Sequence, residues 1–185
     1  MEIVLACIIG YLLGSVPVSL LVARTHGVDL YATGDGNPGA WNALEQLGAR
    51  RAWPAFIGDA LKGLLGGAAG WLLGGAPGAY AGVAAAMVGH ALPAFARLRG
   101  GKAVMTFVGG AFALAPLAAA VCLALCAALS AARSFAVGAR VGVFAFPLAQ
   151  LALQDVGRVA ATGGLMGLIG LLFVLRRRPG RQAAS

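Results

Sequence analysis

The sequence predicts an all-α polytopic membrane protein, and three observations carry that reading. Of the 185 residues, 60% are apolar and 11% are charged, and the mean hydropathy of +0.86 lies outside the range of ordinary soluble domains. The apolar residues form runs of the length that crosses a bilayer, about 17 to 25 residues. The charges, with a net balance of +8, stand in short clusters at the ends of those runs. That placement excludes nucleic-acid binding as the origin of the basicity and marks orientation in a membrane.

The first run, Ile3 to Ala23, follows Glu2 without a basic flank and reads as a retained helix, not a cleaved signal. Trp53 to Leu73 and Ala79 to Ala96 supply the next two helices. Val104 to Ala132 reads as two short helices turning at Ala115 and Pro116, because proline lacks a backbone donor and drives the residue before it out of the helical region. Phe135 to Leu153 and Val159 to Leu175 complete about seven transmembrane helices. This parity puts the N-terminus outside and the C-terminus in the cytoplasm. Arg24, Arg50, Arg51, Arg97, Arg99, Lys102, Arg133 and the arginines from Arg176 onward then fall inside, and only Arg158 falls outside.

The expected organisation is a single integral membrane domain, 1–185, with cytoplasmic loops at about 24–52 and 97–103 and a basic tail at 176–185. Gly66, Gly70, Gly74, Gly78 and Gly82 recur every fourth residue, the spacing that lets helix backbones approach closely in lipid. Cys7, Cys122 and Cys126 lie within apolar runs with no ligand-spaced His or Cys, and read as plain thiols, with no metal site.

Chemistry concentrates in the two long loops. The first contains Gly34-Asp35-Gly36-Asn37-Pro38-Gly39-Ala40-Trp41-Asn42, where glycines open backbone donors and Asn37 and Asn42 offer neutral ones. Asp35, flanked by glycines, is either a general base for an attacking hydroxyl or a turn aspartate bonded to its own loop. Asp59 and Lys62, at i and i+3 inside the second helix, share a face at membrane depth, where charges are costly and commonly mark a ligand path. The second loop runs from Gly89-His90 through Pro93, Phe95, Arg97 and Arg99 to Gly100-Gly101-Lys102 at a helix start. Glycine amides, a lysine and the positive end of a helix together suit a phosphate. The frame is not a Walker A motif, and no nucleophile elbow is present.

Taken in order, these segments resemble the bacterial membrane-bound acyl-phosphate:glycerol-3-phosphate acyltransferase family, the PlsY type. Gly14-Ser15-Val16-Pro17 is similar to its G-S-x-P opening, and Gly34 to Asn42 to its G-S-G-N-x-G-A-T-N loop. Asp59-Ala60-Leu61-Lys62-Gly63 is similar to D-x-x-K-G. Gly89-His90, Pro93, Phe95 and Gly100-Gly101-Lys102 with Thr106 are similar to G-H-x-x-P-x-F and G-G-K-G-x-x-T. The chain departs from the pattern with Tyr31 and Glu45 in place of arginines, Asp35 in place of serine, Trp41 in place of threonine and Ala103 in place of glycine.

The resemblance implies transfer of a fatty acyl group from acyl phosphate to glycerol 3-phosphate, or to another small polar acceptor, giving lysophosphatidate without cofactor or metal. It implies a multi-pass protein of the bacterial inner membrane, among membrane lipids, with no nucleic-acid partner; protein partners are left open. Asp35, Asn37 and His90 are the expected catalytic residues. Asn42, Lys62, Arg97, Arg99, Gly100, Gly101, Lys102 and Thr106 are expected to bind substrate phosphate. Ser15, Asp59 and Arg133 are expected to give polar support. The residues themselves leave a second reading, a noncatalytic protein of the same fold that binds or moves an anionic lipid or small phosphate compound.

Overall fold

The computed structural model describes residues 1–175; the basic tail at 176–185, with Arg176, Arg177, Arg178 and Arg181, lies outside the described residues. Among the described residues all regular structure is helical. Helices α1 (Glu2–Gly14) and α2 (Val18–Thr25) divide the run expected as one helix. Pro17 is the cause: Ser15 and Val16 close α1 by donating to Tyr11 and Leu13 carbonyls, and Pro17 has no donor to continue the ladder. Helix α2 ends where Gly27, at φ 73, donates to the Arg24 carbonyl and Val28 donates to that of Ala23, both at 3.0 Å. This Schellman closure turns the chain back over the bundle.

The loop expected over 24–52 contains a helix of its own, α3 (Ala40–Leu47), which buries Ala40, Asn42 and Ala43. Leu20, Ala23 and Leu30 pack with Ala40, Ala43, Ala52 and Ala55 in a small apolar cluster that fixes this segment to α2 and to the start of α4. Helix α4 (Ala49–Ala91) joins two expected helices, which fold back on each other at Gly74 and Gly75. Gly75 has φ 58 and ψ −146, a conformation closed to other residues. The second arm stops at Ala91 instead of Ala96, because Pro93 intervenes and Ala94–Ala96 form only a 3-10 turn.

The glycine spacing does what it implied. A Cβ at Gly78 would strike the Gly70 carbonyl, one at Gly82 the Gly66 carbonyl, and one at Gly10 the Gly82 carbonyl. The two arms of α4 and helix α1 therefore meet backbone to backbone. Helix α5 (Val104–Leu114) joins them by the same device, with Gly63 against the Thr106 carbonyl and Gly109 against that of Ala60.

Ala115, at φ −154, and Pro116 reverse the chain into α6 (Pro116–Ala132), as the sequence implied. Helix α7 (Phe135–Leu151), capped by the Ser134 hydroxyl, and α8 (Val156–Leu175) complete the bundle. Counting α1 with α2 as one segment and α4 as two gives seven helical segments among the described residues. The stretches Glu2–Thr25, Ala49–Ala96 and Val156–Leu175 are long and apolar enough to cross a membrane; Val104–Leu114, Pro116–Ala132 and Phe135–Leu151 are shorter. Large apolar side chains such as Leu72, Phe144 and Leu148 face outward, while Ser19, Asp59, Lys62, His90, Gln150 and Thr162 are buried. That inversion is what a lipid surrounding selects.

Candidate active site

At the end of the bundle where both long loops gather, α2 and the two arms of α4 bring four polar side chains together. Asp59 is 1% exposed and Lys62 5%. The Lys62 ammonium lies 2.7 Å from Asp59 Oδ1 and 3.1 Å from His90 Nδ1. The Ser19 hydroxyl donates to Asp59 Oδ2 at 2.6 Å. An ammonium has only hydrogens to offer, so Nδ1 is the acceptor and the imidazole proton sits on Nε2. Each buried charge thus has its opposite beside it, the condition under which ions persist in an apolar interior.

The second loop is strapped to this cluster. Gly100 N donates to the Ala91 carbonyl and Gly101 N to the His90 carbonyl, each at 3.1 Å. A Cβ on Gly101 would run into His90 Nε2. The amides of Gly100 and Gly101, expected as phosphate donors, bond to the chain here, and Gly101 allows close approach to His90.

The first loop is pinned by Asn42, whose amide nitrogen donates to the carbonyls of Leu30, Thr33 and Asn37 at 3.0 to 3.1 Å. Asn42, expected to bind phosphate, here clasps the loop with its amide donors. Asp35 sits at the rim. Its Oδ1 accepts from Asn37 N at 3.0 Å, and its Oδ2 lies 3.0 Å from Lys102 Nζ. Both oxygens are engaged, one in the turn of its own loop and one with the Lys102 ammonium. Asn37 contributes its backbone twice, its N–H to Asp35 Oδ1 and its carbonyl to the Asn42 amide.

The remaining expected residues divide. Arg99 joins the rim, its guanidinium 4.4 Å over the Tyr31 ring, while the Tyr31 hydroxyl donates to the Arg99 carbonyl at 2.7 Å. A narrow cleft lined by Pro17, Ser19, Pro38, Lys62, His90 and Arg99 connects the rim to the buried cluster. Lys102 also stands 4.5 Å over the Phe173 ring of α8. Arg97, exposed in a left-handed conformation, and Arg133, exposed at the end of α6, stay outside the cluster. Thr106 is fully buried in α5. Ser15, expected as polar support, donates to the Tyr11 carbonyl of its own helix.

Sequence reasoning missed Ser19, whose one signal is its place four residues after Ser15 on an otherwise apolar helix. It also missed the partners of the departing residues. Trp41 stacks on Phe135 with centroids 5.6 Å apart and donates to Glu45 at 2.7 Å. Among the described residues, no group of three or more His, Cys, Asp or Glu is placed to hold a metal ion.

A family model described as glycerol-3-phosphate acyltransferase matches residues 4–182. Curated proteins of that name are similar: one from Geotalea daltonii is 42% identical over 92% of this chain and 79% of its own length. Another, from Geobacter sulfurreducens, is 34% identical over 96% and 90%. A third, from Rubrobacter xylanophilus, is 43% identical over 61% of this chain, and the match spans only 57% of that relative. Among solved structures, the glycerol 3-phosphate form of PlsY (YgiH), an integral membrane glycerol 3-phosphate acyltransferase, superposes with a TM-score of 0.80 at 25% identity, covering 96% of this chain and 95% of that one. Its lysophosphatidic acid form gives 0.79 at 26% identity, covering 93% and 88%.

Proposed function

This chain belongs to the glycerol-3-phosphate acyltransferase family, and on that premise we propose that it moves a fatty acyl group from acyl phosphate to a hydroxyl of glycerol 3-phosphate. The hydroxyl oxygen bonds to the acyl carbonyl carbon, the bond from that carbon to the phosphate oxygen breaks, and the hydroxyl proton leaves with the departing phosphate. The products are lysophosphatidate and inorganic phosphate. An acyl phosphate carries its own good leaving group, so the protein's task is to orient the hydroxyl and to offset negative charge.

The observation that supports this reading most is the cleft that joins Arg99 at the rim to Lys62 and His90 below, within an apolar exterior. Lys102 and Arg99 are the cations for substrate phosphate, and His90 Nε2–H, held in its tautomer by Lys62, is a donor for charge that develops at the carbonyl. Incubating the purified protein in lipid with palmitoyl phosphate and radiolabelled glycerol 3-phosphate should yield labelled lysophosphatidate. Phosphate binding without any turnover would instead favour the noncatalytic reading.

The setting we propose is the bacterial inner membrane, crossed several times, with both loops in the cytoplasm. Arg24, Arg50, Arg51, Arg97, Arg99 and Lys102 support it by their common place at the loop end, as the positive-inside bias requires. In a variant without native cysteines, Gln182→Cys should label only after the cells are opened; labelling from outside intact cells would refute the orientation.

A further inference from the structure

We propose that the Asp35 carboxylate is a resident anion of the acceptor site, occupying Lys102 until the phosphate of an incoming substrate displaces it. It thereby restricts acceptors to those bearing a phosphate dianion. The inference rests on the reading of Lys102 as a phosphate-binding cation and adds a residue that selects what that cation receives.

Three observations carry it. The carboxylate is aimed: Asn37 N holds Oδ1 at 3.0 Å, which leaves Oδ2 directed at Lys102 Nζ, also at 3.0 Å. The backbone behind it is fixed, because Asn42 binds the carbonyls of Leu30, Thr33 and Asn37 on either side of the turn. The pair is nevertheless open to solvent, with side-chain exposures of 47% for Asp35 and 24% for Lys102. Exchange with a ligand therefore needs rotation of one side chain, with no opening of the loop.

Charge then decides which ligand wins. A tethered carboxylate is present at an effective concentration on the order of millimolar or more. A free carboxylate ligand brings the same single charge and competes poorly with it. A phosphate ester brings close to two charges and three strong acceptor oxygens, enough to take Lys102 from Asp35. Tyr31 acts alongside: its ring lies under the Arg99 guanidinium, so one loop covers both rim cations.

Asp35→Asn tests the idea, since an asparagine oxygen still accepts from Asn37 N while the competing charge is gone. The KM for glycerol 3-phosphate and the inhibition constant of inorganic phosphate should each fall about fivefold, the scale of an exposed ion pair. Inhibition by glycerate, the carboxylate analogue, should tighten by a similar factor while staying weaker than that by phosphate, and kcat should move less than KM. In a Lys102→Ala background the same substitution should change none of these constants. Unchanged KM and phosphate inhibition, an effect that persists without Lys102, or a loss of about 100-fold in kcat at constant KM, the mark of a base, would each overturn the proposal. If wild type makes no lysophosphatidate, the acyltransferase reading fails separately. Calorimetric binding of inorganic phosphate then decides, where tighter binding by the variant supports the exchange and equal binding refutes it.

Discussion

The two ends of the bundle both bury polar groups among apolar helices, but they do it with different chemistry. At the loop end, Asp59, Lys62 and His90 are ionic or ionisable and sit beneath a cleft. At the opposite end the groups are neutral. Gln150 donates to the Tyr80 hydroxyl at 3.0 Å and accepts from the Thr162 hydroxyl at 2.7 Å. Tyr80 donates to the Arg158 carbonyl at 2.9 Å, and Gln154 donates to the Leu114 carbonyl at 3.1 Å. This second network ties the ends of α5, α7 and α8 to the hairpin of α4. Amides and hydroxyls are enough to join helices in lipid, at about 1 kcal/mol or less per bond. Charges are far costlier to bury, so their confinement to the loop end points to a charged ligand there, not to a need for adhesion.

Three substitutions separate charge from adhesion. Lys62→Met strands the Asp59 carboxylate in the interior, and should destabilise by about 3 to 5 kcal/mol in thermal unfolding while abolishing acyl transfer. The double variant Asp59→Leu/Lys62→Met removes both ions and should regain most of that stability without regaining activity. A double variant as active as wild type would erase the distinction between the two ends. Gln150→Leu leaves Tyr80, Thr162 and Gln154 short of partners, and should cost about 1 to 3 kcal/mol of stability. Its kcat and KM for glycerol 3-phosphate should stay within about twofold of wild type; a selective loss of kcat would assign that end a part in turnover. Thr162→Val removes a single hydroxyl at constant shape and should cost about 1 kcal/mol, again with kinetics unmoved.

The helical passes were legible because lipid imposes a minimum length on apolar runs, and the reversal at Ala115 was legible because proline forbids continuation. Pro17 broke its helix by the same rule, but there the apolar run continues unbroken on both sides and hides the interruption. Helix α3 was hidden by its shortness and by the turn formers before it. In the site, the i, i+3 spacing of Asp59 and Lys62 foretold their pairing. Ser15 and Ser19 could not be ranked, since a serine in an apolar helix can turn either to its own backbone or to a neighbouring helix. The backbone partners of the Gly100 and Gly101 amides were hidden for a general reason. A glycine's open backbone is visible in sequence, but the carbonyl that claims its hydrogen is set by how distant segments fold together.

Where Gly66, Gly70, Gly78 and Gly82 place carbonyls against α-carbons, the seam of α4 has no rotamers to reset, and a slip of one residue would drive a side chain into a carbonyl. The hairpin therefore behaves as a machined frame with no play. Whatever adjusts during a reaction cycle must do so among the side chains that frame carries at its open end. An inhibitor shaped to that end would meet walls whose spacing is set by backbone contact, so tolerance to a slightly oversized scaffold should be poor, and resistance should arise at the rim side chains before it arises in the frame.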